Sequence, residues 1–302
     1  MKTLPHPIPY QGSKRLLAPA ILGVIPEGRE IRRLYEPFAG GAAITIAAAH
    51  RGLASEFVIG DTLAPLVGIW RAILSTPTNL AAAYEAIWLG QKEDDDRYYA
   101  RIREEFNARR DSADRLLYLL ARCVKNSPRW NREGAFNQSE DKRRLGMHPS
   151  KMRREIEGAH HLLNGKTKTL ADDFEVTMAD AGSNDLVYLD PPWEGTSNGR
   201  DPRYHRGLER ERLVAALDGL NRRGVPWILS YDGRCGDKSY GEPLPSALRA
   251  KRLELDAGRS SQATLNGVAA VTVESLYVSA ILSSHARVHP RPKQISLDLG
   301  AA

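Results

Sequence analysis

The stretch Asp185-Leu-Val-Tyr-Leu-Asp-Pro-Pro-Trp193 constrains this chain more than any other. Its apolar run reads as a buried strand. Pro191 and Pro192 end that strand, because each lacks an amide donor and Pro192 keeps Pro191 extended. Asp190 and Trp193 are thereby held at the carboxyl end of a strand, the edge of an open α/β sheet where ligands bind. A carboxylate acceptor beside an aromatic ring suits an exocyclic amine on a flat base taken out of its helix. The plainer reading of the same four residues is a strand end followed by a proline turn.

Two other segments have the same logic. Leu34-Tyr35-Glu36-Pro37-Phe38-Ala39-Gly40-Gly41-Ala42 reads as strand, tight glycine turn and helix start, with Ala42–His50 as a buried, alanine-rich helix. Small residues at such a turn let the backbone approach a ligand, and a glycine turn between strand and helix is what a nucleotide site needs. Glu56–Asp61 reads as a second strand ending in an acid, placed either to hold ribose hydroxyls or to cap a helix before Pro65. Pro9–Lys14 is an opening loop, and Ser13 is placed to cap a helix reaching about Ile25. Helices are expected at Leu80–Gln91, Asp96–Arg110, Ala113–Val124 and Leu208–Arg223. Further strands are expected at Thr169–Asp173, Asp185–Asp190 and Val225–Tyr231, then Lys251–Leu255 and Val271–Val278 as an antiparallel pair. The polar segment Glu194–Arg206 is a candidate lid.

Charge is concentrated. The chain carries a net charge of +6, and Lys125–Leu170, with eleven Lys/Arg against five Asp/Glu, has the same excess by itself. A charge run is ordinarily a solvated helical face. Here Trp130 and Phe136 lie among the charges with Asn126, Asn131, Asn137 and Gln138. Cations for phosphates, amides for base edges and rings for wedging are the ingredients of DNA readout. Two distant cysteines, Cys123 and Cys235, form no zinc pattern and fit a reducing cytosol. No apolar run spans a bilayer, and the first residues lack the core of a signal peptide.

These parts, in this order from Pro9 to Ser279, resemble the Dam-type family of DNA adenine-N6 methyltransferases that use S-adenosylmethionine. Pro9–Lys14 is similar to the family's N-terminal cofactor motif and Glu36–Gly41 to its glycine loop. Asp61 falls at the ribose-binding acid, Asp173-Phe174 at an Asp-Phe pair near the cofactor adenine, and Asp190-Pro191-Pro192-Trp193 at the catalytic Asp-Pro-Pro-Tyr. Arg129-Trp130-Asn131, Gly134 and Phe136-Asn137 resemble the family's recognition segment. Departures are Gly-Ser for Gly-Gly before Lys14, Ala42 for a frequent third glycine, and Trp193 for tyrosine. The tryptophan form also occurs in RNA adenine methyltransferases.

The resemblance implies a Rossmann-like α/β sheet of the class I S-adenosylmethionine-dependent methyltransferases, with a mostly helical target-recognition insertion at 113–168. That insertion divides the catalytic domain into 1–112 and 169–282, and a tail follows at 283–302. It implies a catalytic set of Asp190, Pro191, Pro192 and Trp193. The implied cofactor set is Tyr10, Gln11, Lys14, Glu36, Pro37, Phe38, Ala39, Gly40, Asp61, Asp173, Phe174 and Asp190. The implied DNA set is Lys125, Asn126, Arg129, Trp130, Asn131, Arg132, Phe136, Asn137, Arg143 and Arg144. The partner is double-stranded DNA, bound by a monomer or a homodimer. No metal is required, and His160-His161 is a solvated or phosphate-facing pair. An RNA methyltransferase and a non-catalytic DNA-binding subunit are the competing readings. Retention of Asp190 and of the glycine loop argues against a subunit that has lost the chemistry. In the tail, Gln294–Leu299 resembles the short peptide by which replication proteins dock on a sliding clamp, against which stands simple packing on this protein's own surface.

Overall fold

The computed structural model describes residues 4–92, 97–192, 208–235, 238–259 and 271–283. Trp193, the candidate lid and the tail with Gln294–Leu299 lie outside these residues.

Parallel strands form first: β1 (Ile31–Glu36), β2 (Ala54–Gly60), β3 (Thr167–Leu170), β4 (Leu186–Leu189) and β5 (Trp227–Cys235). A short β6 (Lys238–Tyr240) folds back on β5, and β7 (Lys251–Arg259) and β8 (Val271–Val278) complete the sheet. The spatial order is β3-β2-β1-β4-β5-β8-β7. β1 to β5 run parallel, while β8 is antiparallel to both β5 and β7. Strand order therefore reverses between β1 and β4, and the crevice outside their carboxyl ends is the topological switch point where doubly wound sheets bind ligands.

Helices cover both faces. On one side lie α1 (Ala18–Leu22), α2 (Ala43–His50), α3 (Ala64–Ser75), α4 (Pro77–Gly90), α5 (Tyr98–Ala108), α6 (Ala113–Arg122) and α7 (Pro149–Leu163). Their apolar faces share one cluster with Leu186, Tyr188, Ile228 and Leu276. On the other side, α8 (Phe174–Thr177) and α9 (Arg210–Arg222) pack over Val187, Leu189, Trp227 and Leu229. A last turn, α10 (Ala280–Ser283), follows β8. Among the described residues no helix is long and apolar enough to cross a membrane.

Several expectations shift. Ser13 makes no side-chain capping bond, and the expected helix to Ile25 is a short 3-10 turn, Lys14–Leu16, followed by the five-residue α1. β3 stops at Leu170, because Asp173 is the N-cap of α8 and accepts from the Glu175 amide. Helix α3 answers to the helix that the capping alternative for Asp61 placed at Pro65, which sits in its first turn; Leu66, Val67, Ile69, Trp70 and Ile73 are its buried stripe. The boundary at 112 falls inside one helical pack, since α4 and α5 both lie against α6.

Candidate active site

The glycine turn after β1 is held from three sides. Gly40 adopts φ 48°, a left-handed value that favours glycine. Its amide donates to Asp61 Oδ2 at 3.2 Å, and its carbonyl accepts from Trp70 Nε1 at 3.0 Å. Tyr10 lies against it: a Cβ built on Gly40 would meet the ring at 3.5 Å. Ala42 also sits in the left-handed region, with φ 45° and ψ 43°, a conformation that glycine adopts more readily than alanine. Glu36, at the end of β1, accepts from the Thr45 amide at 2.7 Å, so its carboxylate closes the N-terminus of α2. Burial pushes Glu36 up to about 7.

Asp61, just beyond β2, takes the capping position that the sequence offered and also holds the glycine turn. Its Oδ1 accepts from Leu63 N–H at 3.0 Å at the start of α3, while Oδ2 holds Gly40. Burial raises its pKa against those two amides. Gly60, immediately before it, leaves room for α8: a Cβ there would stand 2.5 Å from Thr177 Cγ2.

Asp190 follows β4 beside the end of β1. Lys14, expected to serve the cofactor, pairs with it: Nζ lies 2.9 Å from Asp190 Oδ1 and 3.5 Å from Glu274 Oε2. Burial is the largest influence on Asp190 and, with Glu274, pushes it up to about 6 against the pull of Lys14. Tyr188, two residues earlier on the same face, hydrogen-bonds Ser230 at 2.9 Å. Pro191 is buried and Pro192 half-buried.

Glu274 was missed by sequence reasoning, although a signal existed. In the strand Val271–Val278 it alternates with Leu276 and Val278, which are both buried. An acid in phase with a core face is conspicuous.

Phe174 is 2% exposed and stacks on Phe38, with centroids 5.3 Å apart and planes at 27°. Arg212 of α9 lies over the Phe174 ring at 5.0 Å and pairs with Asp173 at 2.6 Å and Glu175 at 2.7 Å. Asp173 is thus a helix cap and ion-pair partner, and Phe174 is core, with half-buried Phe38 between it and the turn. Gln11 is exposed, and its amide donates to the Asn126 carbonyl at 2.9 Å, tying the N-terminal loop to the basic insertion.

That insertion is built around a hairpin. Trp130 and Phe136 form a β-bridge, and Asn131, Arg132, Glu133 and Gly134 make the tip. The Asn131 side chain accepts from Ala135 N–H at 2.7 Å. Both rings were expected to face DNA, but Trp130 is 3% and Phe136 1% exposed. They meet edge to face at 5.3 Å and pack on Phe106 of α5. The aromatics therefore anchor the hairpin, because their apolar area gains more from the core than from water. Asn107 of α5, unforeseen, pins Phe136 by donating to its carbonyl at 2.9 Å and accepting from its amide at 2.8 Å.

Other expected DNA contacts are also engaged internally. Asn126 donates to the Leu120 carbonyl at 2.7 Å, closing the end of α6, and accepts from Arg144 at 3.2 Å. Arg144 also donates to the Cys123 carbonyl, and Arg143 clasps Asp141 with two bonds of 2.9 Å. The Arg143 hydrogen bonds hold Asp141 well below the usual carboxylate range. Lys125, Arg129, Arg132 and Asn137 are exposed on the hairpin side. Of the His160-His161 pair, His161 is exposed, while His160 is half-buried and its Nδ1 donates to the Ile73 carbonyl at 3.0 Å, docking α7 on α3.

A family model described as D12 class N6 adenine-specific DNA methyltransferase matches residues 10–260. A DNA N-6-adenine-methyltransferase of Escherichia phage P1 is 25% identical over 236 residues, which cover 74% of this chain and 29% of that protein. The chain thus spans under a third of the phage protein's length. A type II methyltransferase of Lactococcus lactis subsp. cremoris is 28% identical over 235 residues, covering 73% of this chain and 78% of the relative. The retron Ec67 DNA adenine methylase of Escherichia coli is 25% identical over 271 residues, covering 84% and 87%. A solved rRNA methyltransferase from Streptomyces viridochromogenes aligns at a TM-score of 0.42 and 14% identity over 92% of this chain and 90% of that one, too loose a likeness to add weight. The family match runs from the loop carrying Lys14 to the end of β7, across the carboxyl ends of β1, β2, β3 and β4, and by it the chain belongs to the D12 class of N6 adenine-specific DNA methyltransferases.

Proposed function

We propose that the protein transfers a methyl group from S-adenosylmethionine to N6 of an adenine extruded from double-stranded DNA. The observation that carries the reading is Asp190: a half-buried carboxylate at the switch point, with Lys14 Nζ 2.9 Å away. The cofactor fits the residues around it. Glu36, Asp190 and Glu274 are balanced there by Lys14, and the resulting negative excess complements a sulfonium cation. The turn at Gly40 keeps backbone and Tyr10 close together, and Asp61 stands at the adjoining strand end to take ribose hydroxyls. Tyr10, Glu36, Phe38, Gly40 and Asp61 form the cofactor side of the site, with Pro37 and Ala39 shaping the turn.

When bound, the cofactor supplies an electrophilic methyl group. The chain's own residues act on the nucleophile. Adenine N6 is weakly nucleophilic because its lone pair is delocalised into the ring. Asp190 accepts one N6 hydrogen through Oδ2, Lys14 being on Oδ1, and the Pro191 carbonyl accepts the other. These acceptors draw the nitrogen toward tetrahedral geometry and offset the positive charge that develops on it. They are oriented before the base arrives, because the two prolines fix the backbone. Trp193 offers the flipped base a stacking face, a contact worth about 1–3 kcal/mol. Arg129, Arg132 and Lys125 on the hairpin side meet phosphates or guanines, and Asn131 and Asn137 lie beside them at the tip.

The test is methyl transfer from labelled cofactor to duplex DNA, with duplex and single-stranded RNA as parallel substrates. Label in N6-methyladenine of DNA supports the reading. Preferential labelling of RNA, or cofactor and DNA binding without transfer, would replace it.

A further inference from the structure

In the mechanism above Glu274 contributes only its charge, yet its placement is costly. Its Oε2 is buried and, among the described residues, makes no hydrogen bond. The ammonium of Lys14, 3.5 Å away, is held closer to Asp190 and also donates to the Gly12 carbonyl at 3.3 Å. A buried acceptor left without a hydrogen bond is destabilising, so its presence asks for a reason.

The backbone around Glu274 is arranged to aim it. The register between β5 and β8 shifts between Ser230 and Gly233, and beyond that bulge Gly233 lies opposite Glu274. Within the bulge Asp232 takes a left-handed φ of 54°. It is held there by hydrogen bonds from the Tyr277 hydroxyl at 2.5 Å and from Arg252 at 3.2 Å. Bulges of this kind re-aim side chains, and strain that is held by several donors is seldom incidental.

We propose that Glu274 is a positioning residue for Asp190: it holds the Lys14 ammonium between two carboxylates and shares it while Asp190 Oδ2 accepts from the adenine amine. The inference rests on the assignment of Asp190 to that amine. An ammonium committed wholly to Asp190 would drain the charge that makes the carboxylate a strong acceptor. An ammonium with a second seat leaves Asp190 both ionised and available. Among the described residues, the groups facing Asp190 are Lys14 from the N-terminal turn, Glu274 from β8, Glu36 from the end of β1 and Tyr188 from its own strand. Lys14 is the cation of this set.

The experiment compares wild type with Glu274→Gln and Glu274→Ser, two charge-free variants of different size, and with Glu274→Asp. In each, kcat/KM for DNA methylation is followed against pH. Loss of the like charge favours ionised Asp190, so the acid limb moves to lower pH by about one unit in the charge-free variants. Turnover at pH 8 falls roughly tenfold, as expected for loss of a few charge-dependent contacts in the transition state. Glu274→Asp keeps the wild-type limb. A merely structural role would lower the melting temperature and leave the limb in place, which overturns the proposal. The Asp190 carboxyl is also titrated by carbon-13 NMR in the protein alone, identified by its absence in Asp190→Asn. An Asp190 midpoint unchanged on removing Glu274 overturns the proposal whatever the activity. Absence of methyl transfer by wild type would instead remove the role given to Asp190, with the NMR midpoint still reporting the coupling.

Discussion

Replacing Phe136 by alanine separates a ring that anchors the hairpin from a ring that enters DNA. Phe136 is 1% exposed and contacts both Trp130 and Phe106 edge to face. Truncating a buried phenylalanine costs about 3–5 kcal/mol, and two edge-to-face partners place this one in the upper part of that range. At about 2 °C per kcal/mol for a chain of this size, the melting temperature should fall by roughly 8 °C if the hairpin melts with the whole. If the hairpin opens by itself, the loss is limited by its local stability and appears as faster amide exchange at Asn131–Asn137. Either way, Phe136→Leu should retain most of the stability and the DNA affinity. The assays are thermal melting, hydrogen exchange and fluorescence anisotropy with a labelled duplex. An alanine variant with unchanged melting and unchanged exchange, but weakened DNA binding, would refute the burial argument and restore the wedge.

Other expected outcomes are as direct. Asp190→Asn should lower turnover by about 10²–10³-fold while cofactor affinity by calorimetry stays within a few-fold, since it removes an oriented acceptor. Activity should fall tenfold per unit as pH drops below about 6, where Asp190 gains its proton and ceases to accept. Stability runs the other way: Asp190 and Glu36 bind protons more tightly folded than unfolded, so both contributions weaken as pH rises from the ordinary carboxylate range through about 6 and 7, measurable by urea unfolding. Asn107→Ala should leave the Phe136 amide and carbonyl unpaired, costing about 2 kcal/mol or more, and raise KM for DNA without changing cofactor affinity.

The central sheet was legible because its signals are local. Apolar runs closed by Pro37, by Asp61 and by Pro191-Pro192 mark strand ends, and the glycine turn between β1 and α2 follows from small residues in sequence. The antiparallel β7 and β8 were equally plain from alternation. What escaped the sequence was decided by tertiary contacts. Trp130 and Phe136 look exposed in a basic segment, and only the apolar side of α5 reveals that they are core. Arg143 and Asn126 look free until Asp141 and the end of α6 claim them. Asp173 reads as a strand end, yet its carboxylate gains more by capping α8 and meeting Arg212. Glu274 lies eighty-four residues beyond Asp190 in sequence, and only the order β4-β5-β8 brings the two together.

The hydrogen bond from the Gln11 amide to the Asn126 carbonyl joins the loop carrying Lys14 to a turn in which Lys125 and Asn126 both take left-handed φ, 58° and 51°. Two consecutive non-glycine residues in that region store conformational energy, and such a turn has few alternative shapes. Any duplex that repositions the turn must pull on the opening loop as well. Thermodynamic reciprocity then applies: the factor by which DNA changes affinity for the methyl donor equals the factor by which the donor changes affinity for DNA. Order of addition would leave the final ternary complex unchanged, and the two half-reactions of a binding cycle could be measured from either corner.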